Sequence, residues 1–230
     1  MSLLKKYKTS FLSLFYPDYC CGCGLILMSQ EKNICTRCLY HLPKTNFHKD
    51  TNNTIAQRFW GRVNVEEATA FYLFQKSLRV QKILHHLKYK NKPEIGIDLG
   101  KKAGNELLGT CFETVDYITA VPLHPKKLKI RGYNQSEMIA KGIAESLCKS
   151  YLPDLLERTV DNTTQTRKNR YQRWLNAEEI FKATVGEKLE NKHILLVDDV
   201  ITTGATIEAC VQALINTHNC KVSVFALAVA

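Results

Sequence analysis

His193-Ile194-Leu195-Leu196-Val197-Asp198-Asp199-Val200-Ile201-Thr202-Thr203-Gly204-Ala205-Thr206 is the stretch that decides the fold. Residues 193–197 form a continuous apolar run, the pattern of a strand covered on both faces. Beyond the turn, Ile207, Cys210, Val211, Leu214 and Ile215 recur at i, i+3, i+4, i+7 and i+8, the apolar stripe of a helix. Strand, turn and helix in that order set Asp198 and Asp199 at the carboxyl end of a parallel strand, where open α/β sheets bind their ligands.

The turn is composed for an anion. Gly204 permits backbone geometry that a Cβ would forbid. Amides at the start of the following helix lack internal partners and, with the helix dipole, form an anion site. The hydroxyls of Thr202, Thr203 and Thr206 add donors for phosphate oxygens. Carboxylates repel phosphate, so Asp198 and Asp199 suit ribose hydroxyls and a bound magnesium ion. Phosphate on one side and carboxylates just before it describe a sugar 5-phosphate. The plain alternative is a βα turn with a threonine cap and two surface acids. It requires buried strand, paired acids, T-T-G-x-T and amphipathic helix to coincide by chance.

Working outward, residues 68–74 and 117–121 read as strands, the second halted by Pro122. Residues 221–230 close the chain as another buried strand, and residues 154–160 read as a further one. Val80, Ile83, Leu84 and Leu87 fall at helical spacing; so do Ile95, Leu99, Ala103 and Leu107 after Pro93, and Ile139, Ile143 and Leu147. Alternating strands and helices predict a parallel α/β sheet. Residues 49–60 read as a polar connector and residues 161–176 as strongly polar, without a core face.

The front of the chain is different. Residues 17–48 are rich in Cys, Gly and turn residues, with little helical pattern. Cys20, Cys23, Cys35 and Cys38 form two C-x-x-C knuckles, the four thiolates of a tetrahedral structural zinc. No thioredoxin-like βαβ context favours the redox alternative. Nine cysteines are an odd number, against a fully paired disulfide framework, and metal binding fits a reducing cytoplasm. Residues 1–16 read as a short helical segment, and no run reaches the length of a membrane span. The formal charge of +10 suggests anionic partners: nucleotides, phosphosugars or nucleic acid.

Val197 to Thr206 resembles the phosphoribosyl-pyrophosphate (PRPP) signature of type I phosphoribosyltransferases. The resemblance implies that Asp198 and Asp199 hold the ribose hydroxyls. It further implies that Thr202, Thr203, Gly204, Ala205 and Thr206 hold the 5-phosphate, with Mg2+ accompanying PRPP. Thr202 stands where hypoxanthine/guanine enzymes carry an acid, which makes purine salvage the weaker reading. The zinc knuckles joined to this loop resemble the ComF family, competence-protein-F-like phosphoribosyltransferases. That match extends over His86-Leu87-Lys88-Tyr89, residues 121–127, Arg131-Gly132-Tyr133-Asn134-Gln135-Ser136 and residues 165–176. It implies a type I phosphoribosyltransferase-like parallel sheet flanked by helices over 60–230, a zinc-ribbon module over 17–48, and an association with DNA uptake in natural transformation.

In related enzymes the loop after the strand at 117–121 holds pyrophosphate, whose departure cations ease. Lys126, Lys127 and Arg131 are the candidates here. Residues 165–176, with Arg170 and Arg173 among Tyr171 and Trp174, admit three readings: a lid over PRPP, a single-stranded nucleic-acid contact, or a charged surface helix. Asn134 and Ser136 read equally as helix caps or substrate contacts. A non-catalytic adaptor that binds single-stranded DNA, works beside DNA-uptake proteins and retains a PRPP site is the rival to the enzyme.

Overall fold

The computed structural model describes residues 17–74, 79–158, 180–185 and 189–230. The expected helical segment 1–16 and the lid candidates Arg170 and Arg173 lie outside the described residues. The main sheet has five strands: β1 (Ala68–Leu73), β2 (Tyr117–Ala120), β3 (Ser150–Tyr151), β6 (His193–Ile201) and β7 (Lys221–Val229). They run in the order β1-β7-β6-β2-β3, every neighbouring pair parallel. β4 (Leu156–Arg158) and β5 (Phe181–Ala183) form a separate antiparallel pair. The strand read over 154–160 therefore lies outside the main sheet, and its described part is shorter than expected.

The helices fall where the apolar stripes put them: α2 (Arg79–Tyr89), α3 (Glu94–Leu107), α5 (Gln135–Leu147) and α6 (Ala205–His218), with a short α1 (Thr36–Tyr40) and α4 (Pro125–Arg131). α2, α3 and α5 bury their stripes in one core with Leu195, Val197 and Phe225. α6 buries Ile207, Cys210, Val211 and Leu214 in the other, with Ile194, Leu196 and Val224 of the sheet. The helices that follow β2 and β6 thus cover opposite faces of the sheet. In open α/β sheets such divergence marks the ligand crevice, which here falls at the carboxyl ends of these two adjacent strands.

α3 and α5 cross very closely. A Cβ at Gly100 would fall on the Ile139 carbonyl oxygen, and one at Gly142 on that of Ile97. Only glycine permits this approach of backbones, and it sets the start of α5 beside the end of β2. Asn134 caps α5, its Oδ1 accepting from the Ser136 amide at 3.1 Å.

The ribbon is welded to the sheet domain. Cys20, Cys21, Ile34, Cys38 and Leu42 are buried in the same cluster as Ile83 and Leu87 of α2. Residues 43–45 pair with the outer edge of β1: Leu73 N donates to Pro43 O at 2.9 Å and Thr45 N to Phe71 O at 3.1 Å. An otherwise open strand edge is so covered. Residues 49–60 are more than a polar connector, because Ile55 and Phe59 are buried against β1, β6 and α6. The apolar pairs Ile55-Ala56 and Phe59-Trp60 are too short a pattern, after a run of polar residues, to announce a core contact. Among the described residues, no helix is long and apolar enough to cross a membrane.

Candidate functional site

At this switch point β6 runs on past the end of β2. β2 makes its last pairing where Val121 N donates to Val197 O at 2.9 Å. β6 continues to Ile201, paired there with β7 alone. Asp198 and Asp199 therefore sit where one edge of β6 has just become free. The strand is longer than the apolar run suggests, so both acids belong to the strand itself. Asn134 Nδ2 satisfies the Val121 carbonyl at 2.9 Å where the ladder stops.

Each acid has a partner from another element. Ser136 Oγ donates to Asp198 Oδ1 at 2.9 Å, and the Asp199 amide donates to the same oxygen at 2.8 Å. Burial pushes the Asp198 carboxyl up to about 7, helped by the negative charge of Asp199 and opposed by these two donors and Lys88. Asp199, 6% exposed, is ion-paired by Lys88 of α2, whose Nζ lies 2.5 Å from its Oδ2.

After β6 the chain turns outward. Thr202, Thr203, Ala205 and Thr206 are exposed, whereas Gly204 is buried with φ 84° and marks the start of α6. This left-handed φ is the geometry for which the turn needs a glycine. Arg58 Nη1 donates to Thr202 O, and Arg62 Nη1 donates to Thr203 O at 3.3 Å. Sequence reasoning finds neither arginine; they stand far from the turn in the chain, and no motif announces them.

The expected pyrophosphate cations divide. α4 is a capped helix rather than a loop: His124 Nδ1 accepts from Lys126 N at 3.1 Å, Pro125 opens it, and Gly132 at φ 83° ends it. Lys127 and Arg131 line a cavity of about 260 Å³ with Lys88, Tyr89, Asn91 and Ile130; Lys126 is exposed and is not among its lining residues. Arg131 stacks on Tyr89 with its guanidinium 5.4 Å from the ring centroid. Lys88 thus reaches both the cavity and Asp199. In the motif Arg131–Ser136, Tyr133 donates to Leu87 O, so the segment docks α2 to the crevice as well as capping α5.

The four-cysteine cluster is assembled as expected. The sulfurs of Cys20, Cys23, Cys35 and Cys38 all lie within 4.8 Å of one another, and Cys23 and Cys35 are 3.7 Å apart. Metal–sulfur bonds of ~2.3 Å in a tetrahedron put sulfurs ~3.8 Å apart. Amides of Gly22 and Cys35 donate to Cys20 Sγ at 3.4 and 3.2 Å, and that of Cys38 to Cys35 Sγ at 3.4 Å. Burial opposes ionisation of Cys20, but the amides of Cys35, Cys23 and Gly22 outweigh it and hold the thiol at about 7. The donor set fits a structural metal. Cys21 is buried beside it and outside the set.

A family model described as "Phosphoribosyl transferase domain" matches residues 134–230, which take in the capped start of α5, both acids and the turn. The fold is that of a phosphoribosyltransferase-like protein. Across 94% of its length the chain is 27% identical to a DNA utilization protein YhgH from Escherichia coli, covering 92% of that protein. It is 41% identical to competence protein ComFC from Streptococcus pneumoniae over 87 residues, 38% of this chain and 36% of that one. By these likenesses the chain is similar to ComF-type phosphoribosyltransferase-like proteins. Among solved structures, adenine phosphoribosyltransferase from Saccharomyces cerevisiae aligns at 15% identity with a TM-score of 0.37, over 60% of this chain and 68% of that one.

Proposed function

We propose that the crevice binds PRPP with Mg2+ and transfers its phosphoribosyl group to a nitrogen nucleophile, releasing pyrophosphate. The observation that carries this reading is the free end of β6, where Asp198 and Asp199 precede a turn with Gly204 at φ 84°. Asp198 and Asp199 take the ribose hydroxyls. The exposed residues Thr202, Thr203, Ala205 and Thr206, with Gly204, take the 5-phosphate through amides and hydroxyls. Lys88, Lys127 and Arg131 receive the pyrophosphate, with Lys126 at the rim, and neutralise the charge that develops as it leaves. Carboxylate oxygens of Asp198 and Asp199 suit magnesium, which when bound supplies further charge neutralisation. Lys88 also balances the charge of Asp199 until substrate arrives.

In the ribbon, Cys20, Cys23, Cys35 and Cys38 hold Zn2+, a metal suited to four thiolates. The protein works in the cytoplasm, where its free thiols stay reduced. The names of the relatives, DNA utilization and competence proteins, support a role in DNA uptake or the nucleotide metabolism attached to it.

The decisive test is calorimetry of PRPP with Mg2+ against the wild type and the Asp198→Asn, Asp199→Asn double variant. The wild type should bind and the double variant should not; equal binding by both defeats the assignment. Pyrophosphate release across a panel of amines and bases then selects the acceptor.

One observation favours the adaptor reading beside this. α4 buries none of its residues and presents Lys126, Lys127, Lys129 and an 88% exposed Ile130. Single-stranded DNA binding that weakens steeply with salt, in a protein that releases no pyrophosphate with any acceptor, would select it.

A further inference from the structure

We propose that Arg58 and Arg62 are positioning residues that aim the amides of the phosphate turn, by gripping the carbonyls on its back. The proposal rests on the 5-phosphate reading of that turn and deepens it.

In a planar trans peptide, the C=O and the next N–H point in opposite directions. The carbonyl of Thr202 shares its peptide with the amide of Thr203, and the carbonyl of Thr203 shares one with the amide of Gly204. Fixing those two carbonyls therefore fixes the direction of the two amides. Arg58 holds the first, and its Nη2 also reaches Ala230 O at 3.4 Å beside the end of β7. Arg62 holds the second and is ion-paired with Glu208 in the first turn of α6. That pair also offsets a carboxylate that would otherwise repel an anion at the same helix start.

Both arginines leave one short segment, braced by the buried Phe59 between them. The Phe59 ring stands 3.2 Å from where a Cβ on Gly204 would lie. The segment so supports the turn at three successive residues: Thr202 and Thr203 through their carbonyls, Gly204 through its missing side chain. A turn with four exposed residues has few contacts of its own to keep its donors aligned, and alignment before binding is what makes such donors effective. A forked guanidinium is suited to this, because it spans two acceptors at once.

Two measurements decide it. Amide hydrogen exchange at Thr203 to Ala205 in the ligand-free protein reads the grip without any substrate. In the Arg58→Gln, Arg62→Gln variant, exchange there should quicken while β6 stays protected; unchanged exchange overturns the proposal, whether or not PRPP proves to be the ligand. Titration with ribose 5-phosphate and with inorganic pyrophosphate reads the two halves of the crevice separately. The variant should lose about 10- to 100-fold in ribose 5-phosphate affinity, the scale of a small misplacement, and keep its pyrophosphate affinity. An equal loss of both would mean general damage and defeat it. Arg58→Lys keeps the charge without the fork; if it restores full ribose 5-phosphate affinity, charge alone matters and positioning is refuted. A wild type that binds neither probe defeats the PRPP reading, and the exchange result still stands or falls by itself.

Discussion

The ribbon and the crevice are both built around acidic ligands close together, and they settle the resulting repulsion in opposite ways. In the ribbon, all four sulfurs come from between Cys20 and Cys38, and backbone amides already point at two of them. At the end of β6, Asp198 and Asp199 draw their partners from α5 and α2, and the turn beyond draws its own from residues 58 and 62. The ribbon is arranged for a permanent occupant and is incomplete as a set of protonated thiols. The acids of the crevice already have protein partners, Ser136 and Lys88, and on the proposed reading they await a ligand that comes and goes. Removing a ligand group should therefore act with opposite sign in the two places.

The larger effect belongs to the ribbon. Structural zinc contributes ~10–16 kcal/mol of apparent binding free energy in small cysteine-rich units. Cys20 and Cys38 share their core with Ile83 and Leu87 of α2, so loss of the ion loosens more than the knuckles. Chelation, or Cys38→Ser, should release one equivalent of zinc to a metal-sensitive dye and lower the thermal midpoint sharply. Release with an unchanged midpoint would break the comparison, since the ribbon would then fold without its metal.

How far each site is legible in the sequence follows from the same contrast. The cysteine spacing and the span from Val197 to Thr206 are contiguous, and the chemistry they require is written in neighbouring residues. The left-handed Gly204, the helix stripe behind it and the sheet it belongs to all follow from that span. Lys88 and Ser136 are different. Each lies in a segment with a recognisable pattern, yet nothing local says that either side chain ends on a carboxylate; for Ser136 that depends on the α3–α5 crossing at Gly100 and Gly142, and for Lys88 on the docking of α2, where Tyr133 donates to Leu87 O. Arg58 and Arg62 are invisible for the same reason: they meet the turn through backbone carbonyls, which carry no sequence signature. Lys127 and Arg131 do share one cavity, but the loop expected around them is a helix, because His124 and Pro125 supply its cap and first residue.

The smaller effect belongs to Asp198 and should be a gain. Burial holds its folded-state pKa near 7, above the ordinary 3.8. Between those values the folded chain keeps a proton that the unfolded chain has lost. Stability therefore falls as pH rises through that window, and the loss is complete once pH passes about 7. Asp198→Asn removes the charge while its Oδ1 can still accept from Ser136 and the Asp199 amide. A tenfold change in proton affinity corresponds to ~1.4 kcal/mol, and screening at the partly exposed edge reduces the total to about half, so a gain of about 2 kcal/mol is expected at pH 8. At pH 4 little of the gain should remain, because the window has then barely been entered. Urea unfolding at the two pH values measures it, and PRPP titration of the same variant should show binding lost as stability rises. A variant equally stabilised at both pH values would owe its gain to packing, and one destabilised at pH 8 would place Asp198 with the cysteines, as a group the fold needs rather than one the ligand needs.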